Sequence, residues 1–210
     1  MKNNSYSILR EGEYEKLKEL TIDGTILDIG GSTRSGYHEL IQGDHKITTA
    51  NIDAKYGCDL VFDVQNKFPL ENETYNAVIG LNLLEHIYKF HNVFSETARV
   101  LKKDGVVVLS IPFLFHIHGS PDDYFRYTKS ALTKLLTDAG FVDIEIREIG
   151  DGVFSLIFQT IGGVIPSHIA RTAGKRTSLF LDRFLCRISK RYKKLGERIP
   201  LGYFVVARKP

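Results

Sequence analysis

Short apolar runs alternate with amphipathic stretches along most of this chain. Apolar runs bounded by turn residues predict strands at Thr25–Ile29, Lys46–Ile52, Leu60–Phe62, Ala77–Leu81, Val106–Ile111 and Phe141–Ile149. Between several of them, helical spacing predicts helices over about 34–42, 86–102 and 129–139. Gly105 and Gly140 fall where a helix should stop and a strand begin, as glycines at helix C-termini do. An earlier helix, 8–20, carries Ile8, Leu9, Leu17 and Leu20 among charges. Short apolar strands alternating with helices imply an α/β fold, a mostly parallel sheet with helices on both faces. The tail departs from this rhythm. Residues 152–198 hold no convincing strand, and Tyr203–Ala207 (YFVVA) reads as a last strand returning to the sheet, antiparallel. The expectation is a single domain over 1–210, with 1–20 as an N-terminal helical segment and 152–198 as a helical insertion.

Composition adds boundaries to that picture. Hydrophobic residues make up 43% and charged residues 25% of the 210, ordinary values that exclude disordered and collagen-like classes. Cys58 and Cys186 lie far apart with no CxxC spacing, so they read as free thiols in a reducing compartment. The start MKNNSYS has no apolar secretory core, and the longest apolar stretch, Val153 to Ile165, is too interrupted to span a bilayer. A cytoplasmic protein, peripheral to the membrane at most, is expected.

Charge is unevenly distributed. Residues 171–198 hold 10 Lys/Arg against 2 Asp/Glu, a surplus of +8, whereas the rest holds 18 against 23. Within 175–195, Leu181, Phe184, Leu185, Ile188, Tyr192 and Leu195 follow helical spacing, interleaved with Arg183, Arg187, Lys190, Arg191 and Lys194. Such a helix packs on its domain with a solvated basic face, or lies on an anionic membrane surface. Nucleic acid fits less well, because stacking aromatics are sparse and no RNA-binding motif is present.

Candidate chemistry gathers at predicted strand ends, where doubly wound sheets bind their ligands. The first strand runs into ILDIGGSTRSG, with Asp28 at its end and Gly30, Gly31 and Gly36 beyond. Glycine lets the backbone approach a ligand, and free N–H groups hold a negative group. Asp53 ends the second strand, 23 positions after Gly30, close to the interval at which an acidic residue grips a ribose. Asp63 follows the third strand, as an acceptor for an adenine amino group or as a turn cap. The fourth strand runs into LNLLEH, with Leu81 and Asn82 at the switch point; Glu85 suits either a helix N-terminus or a functional role.

Taken in order, the D-x-G loop, the acidic strand end, Asp63, LNLLEH and RVLKKDGVVVLSIP resemble class I S-adenosylmethionine-dependent methyltransferases, from about residue 22 to 149 plus the last strand. The resemblance implies a Rossmann-like seven-stranded sheet of order 3-2-1-4-5-7-6 with strand 7 antiparallel. It implies S-adenosyl-L-methionine as cofactor, its methionine end held by Asp28, Gly30 and Ser32. By the same resemblance Asp53 holds the ribose, Asp63 and Val64 meet the adenine, and Leu81 and Asn82 lie near the sulfonium. The family loop DxGxGxG reads Asp28, Gly30, Ser32 and Arg34 here, so two glycines are replaced.

The loop PFLFHIHGSPDDYFRYT, 112–128, is the most individual segment. It resembles the HGxPxDYxRYT signature of a methyltransferase type 11-like branch often linked to surface glycan or lipid-linked modification. The matching residues are His118, Gly119, Pro121, Asp123, Tyr124, Arg126, Tyr127 and Thr128. His118 could be a general base oriented by Asp123, or it and Arg126 could pin the loop. His118, Asp123, Arg126 and Tyr127 form the expected catalytic set. No metal is expected, since His116, His118, Asp122 and Asp123 stand in a loop and offer no helical i, i+4 pair. The expected reaction is methyl transfer to a small-molecule, glycan or lipid-linked acceptor, at a hydroxyl oxygen. The rivals are a non-catalytic binding or scaffold protein of the same fold, and a nicotinamide-dependent oxidoreductase, for which Gly30 lacks a G-x-G-x-x-G context.

Overall fold

The structure, a computed structural model, describes residues 7–119 and 122–210. Pro121 of the loop signature lies outside the described residues. Seven strands form one sheet in the order β3-β2-β1-β4-β5-β7-β6. They are β1 (Gly24–Ile29), β2 (His45–Asn51), β3 (Leu60–Val61), β4 (Tyr75–Leu81), β5 (Leu101–Pro112), β6 (Val142–Ile149) and β7 (Gly202–Arg208). The first five run parallel, and β7 pairs antiparallel with both β5 and β6. This is the expected Rossmann-like arrangement.

Period-2 alternation divides the core between two faces. Leu27, Ile29, Val78, Val107, Leu109 and Val205 meet α2 (Phe90–Val100) and α3 (Lys129–Asp138) through Val93, Phe94, Leu132 and Leu136. Ile26, Ala77, Ile79, Val108 and Phe204 meet α1 (Ile8–Leu17) through Ile8, Leu9 and Leu17. The 152–198 insertion joins this second face as α4 (Val153–Ile161), α5 (His168–Ile188) and α6 (Lys190–Gly196), with Leu156, Phe158 and Leu179 packed inward. It ties to α1 by Lys175–Glu11 and by Ile8 N–H donating to Gln159.

Asp182 on α5 is fully buried and accepts the N–H groups of Phe154 and Ser155 at 3.0 and 2.7 Å, capping α4 from a neighbouring helix. Gly152 at the start of α4 has no side chain to do this. Tyr192 donates to the same carboxylate and so adds α6 to the joint.

Several elements differ from the sequence reading. In place of a helix over 34–42 there is a single 3-10 turn, His38–Leu40, because Tyr37 and His38 turn inward to Asp28. The helix expected from 86 begins at Phe90; before it, Leu84–His86 forms a separate 3-10 turn. That helix ends at Val100, and β5 starts at once, so Gly105 lies within a strand and the left-handed residue is Asp104. Gly140 does end α3, with φ +88° and Phe141 N–H donating to the Leu136 carbonyl. The basic helix expected over 175–195 breaks at Ser189, whose side chain caps α6. Phe184, Ile188 and Leu195, whose helical spacing left open packing on the domain or contact with a surface, are exposed.

Candidate active site

A cavity of about 280 Å³ opens at the carboxyl ends of β1, β2 and β4. Gly30, Asn51 and Asn82 come from the three strand ends. Phe62, Asp63 and Val64 line the wall after β3, while His86, Asp122 and Tyr124 close the other side.

Backbone geometry explains the floor. Gly30 has φ +81°, which favours glycine, and a Cβ there would meet Leu83 at 3.0 Å. A Cβ on Gly31 would sit 1.9 Å from Asp28 Oδ2, so only glycine lets the loop lie over that carboxylate. Asn82 is also left-handed, at φ +50°, and its Oδ1 is buried with no donor among the described residues. Asn51 joins two of the strand ends. Its amide donates to the carbonyls of Gly30 and Gly31, both at 3.0 Å, and its Oδ1 accepts from Ile52 N–H at 2.8 Å.

Of the expected cofactor residues, Gly30, Asp63, Val64 and Asn82 line this cavity. Four others stand outside its lining. Asp28 is fully buried beneath Gly31, accepting from the Tyr37 hydroxyl at 2.6 Å and facing His38 Nε2 at 2.6 Å. It supports the loop from below. Burial and the Asp28 carboxylate push the Tyr37 phenol up, so it remains a donor. Ser32 donates to the Gly57 carbonyl. Asp53 is half-exposed, caps the 3-10 turn Ala54–Tyr56 and pairs with Lys55 at 3.0 Å. Leu81 packs into the core on the α1 side of the sheet. Asn51 was missed because a neutral amide carries no charge signal, whereas Asp53 two positions later does.

The 112–128 loop returns toward the cavity as expected, but its residues divide the work differently. Asp123 and Arg126 form a two-pronged ion pair, which draws the Asp123 carboxyl down to about 2. Asp123 also accepts His118 N–H at 2.9 Å. Tyr127, expected to be catalytic, is buried in the core on the α2 side and donates to the Leu84 carbonyl; it anchors the loop. Tyr124, outside the expected set, lines the cavity. Burial and the neighbouring His86 shift His118 below the ordinary imidazole range.

Glu85 lies behind His86 and His118. Its side chain is fully buried, neither carboxylate oxygen has a donor among the described residues, and burial pushes it up to about 8. Its backbone carbonyl accepts from Tyr124 and Phe125, which ties the loop to the end of β4. Behind it, Glu13 of α1 accepts from Ser110 at 2.8 Å.

A family profile described as a methyltransferase domain matches residues 36–109. Comparison with curated proteins finds no match. Among solved structures, an S-adenosylmethionine-dependent methyltransferase from Mesorhizobium loti superposes with a TM-score of 0.62 at 15% identity, over 96% of this chain and 100% of that one. The complex of the Haloferax volcanii Trm112 methyltransferase activator gives 0.61 at 15% identity, over 97% and 89%. A Haemonchus contortus phosphoethanolamine N-methyltransferase, solved with S-adenosyl-L-methionine, gives 0.57 at 14%; this chain spans only 52% of it. The fold is that of S-adenosylmethionine-dependent methyltransferases.

Proposed function

We propose that this chain, which carries a methyltransferase domain on that fold, transfers a methyl group to a hydroxyl oxygen of a small-molecule, glycan or lipid-linked acceptor. The cofactor is S-adenosyl-L-methionine, whose sulfonium supplies an electrophilic methyl group. The observation that carries the reading is the cavity itself. It combines a glycine floor, two side-chain amides, an apolar wall at Phe62 and Val64, and a carboxylate at Asp63. That set fits a nucleoside with an amino-acid tail: Asn51 at the ribose, Asp63 and Val64 at the adenine, Gly30 and Asn82 toward the methionine end.

The chain's own task is alignment and the exclusion of water. Tyr124 and Asp122 cover the cavity mouth from the loop, and the Asp123–Arg126 pair holds that loop in shape. His118, whose shift below the ordinary imidazole range favours the unprotonated ring, stands on the acceptor side as the candidate base. The acceptor is proposed to enter beside α4, where a second cavity of about 350 Å³ lies between Phe113–His116 and Leu156, Gln159 and Thr160.

The test is a methyl-transfer assay with isotopically labelled cofactor on hydroxylated glycan and lipid-linked acceptors. His118→Ala should lower turnover by roughly 10²–10⁴-fold while leaving affinity for the demethylated product within about twofold. Near-full turnover from pH 6 to 9 would leave the histidine a structural role only.

A further inference from the structure

We propose that Glu85, His86 and His118 bind a first-row divalent cation, of which zinc is the type, on the acceptor side of the cavity. Glu85 Oε1 lies 3.6 Å from His86 Nε2 and 3.8 Å from His118 Nε2. All three donor atoms fall within 4.8 Å of one another. The rings meet edge to face at 5.1 Å.

Each ring is oriented by a carbonyl behind it. His86 Nδ1 faces the Asp122 carbonyl, and His118 Nδ1 faces the His116 carbonyl at 3.2 Å. A carbonyl oxygen only accepts, so each ring carries its proton on Nδ1 and presents a lone pair at Nε2. Two nitrogen lone pairs therefore converge on a fully buried carboxylate that has no donor of its own. A single proton on Glu85 could serve only one ring nitrogen, whereas a divalent cation engages the carboxyl and both rings at once.

The donor set and its supports fit as well. Two imidazoles and one carboxylate form a nitrogen–oxygen site suited to zinc, manganese or iron(II), and leave coordination positions open. Ligand distances of ~2.0–2.2 Å need donors ~3.3–3.6 Å apart in a tetrahedral site, so the two contacts to Glu85 close by a few tenths of an ångström at most. His118 is partly exposed and can supply that movement. The Nδ1–carbonyl contacts are the outer hydrogen bonds that metal-binding histidines use to fix ring orientation. Asp123, paired with Arg126, holds the His118 backbone from outside.

The use of the cation rests on the methyl-transfer reading. His86 and Asp122 line the cofactor cavity and His116 lines the one beside α4, so a cation on His86 and His118 would stand between cofactor and acceptor. A hydroxyl oxygen bound there loses its proton to solvent, because the cation stabilises the alkoxide. That oxygen then bonds to the methyl carbon, and the electron pair of the carbon–sulfur bond stays on sulfur. His118 acts as a ligand in this scheme, in place of direct proton abstraction.

The experiment is calorimetric titration of the chelator-stripped full chain with Zn²⁺, and separately with Mn²⁺. S-adenosylhomocysteine binding is measured on the same samples. One equivalent should bind, and His118→Ala and Glu85→Gln should each weaken it at least about 100-fold. His116→Ala, which keeps the backbone carbonyl, should bind as the wild type does. Circular dichroism reports folding; should Glu85→Gln unfold, His118→Ala still decides. Absence of stoichiometric uptake, or uptake unchanged in His118→Ala, overturns the site. Cofactor-product binding without metal uptake would sink the site and leave methyl transfer standing. Metal uptake without cofactor-product binding would do the reverse.

Discussion

Asn51 and Asp53 end the same strand with opposite duties. Asn51 bridges the β2 tip to the carbonyls of Gly30 and Gly31 and lines the cavity; Asp53 turns to Lys55 and solvent. Asn51→Ala should therefore weaken S-adenosylhomocysteine binding by about tenfold or more, since it loses hydrogen bonds of ~0.5–1.5 kcal/mol each and frees the glycine loop. Asp53→Ala should change it by less than about twofold. The opposite ranking in a binding titration would return the ribose to Asp53. At this scale the sequence was only partly legible. Gly30, Asp63, Val64 and Asn82 line the cavity, in keeping with the geometry that strand ends and glycine loops share. Asp28 and Tyr127 face the core, which polarity in a motif does not reveal. Glu85, His86 and His118 were unreadable as a group, since two come from the β4 end and one from a loop 32 positions on.

Elements were read more reliably than residues, for a physical reason. Short apolar runs bounded by turn residues mark the strands, and all seven were expected, with bounds differing by a few residues. Helices failed where side chains found partners across the fold. The 34–42 segment had enough apolar spacing, but Asp28 draws Tyr37 and His38 inward and leaves one turn. The α4–α5–α6 joint is likewise tertiary. Asp182 satisfies the two free N–H groups at the start of α4, and its carboxylate is fully buried. Asp182→Ala leaves those donors unpaired and should cost ~2–4 kcal/mol, a lost cap together with buried groups left unsatisfied. Denaturant unfolding followed by circular dichroism checks it. A loss under about 0.5 kcal/mol would mean that the joint is held by apolar packing alone.

The whole molecule is a sheet with two unlike sides. One is covered by α2 and α3; the other carries α1 and the insertion, whose outer surface is both apolar and basic. Phe180, Phe184 and Ile188 repeat every four residues along α5 and are 68%, 49% and 64% exposed. Among the described residues no helix is long and apolar enough to cross a membrane. Contact at a lipid surface, which would bring a lipid-linked acceptor to the α4 cavity, is the reading this face favours. Co-sedimentation with anionic vesicles should be strong at low salt and weak at high salt. It should fall in a variant with Arg187, Lys190, Arg191 and Lys194 changed to Gln. Equal, negligible binding under all conditions would make this face a solvated exterior.

Every functional statement depends on the cavity at the ends of β1, β2 and β4 taking the cofactor. Calorimetric titration of the wild-type chain with S-adenosylhomocysteine tests that directly, with Gly31→Ala as its partner. One molecule should bind per chain, and the variant, whose added methyl collides with the Asp28 carboxylate, should lose most of that affinity. No binding by the folded wild type, or undiminished binding by a folded variant, would contradict the account.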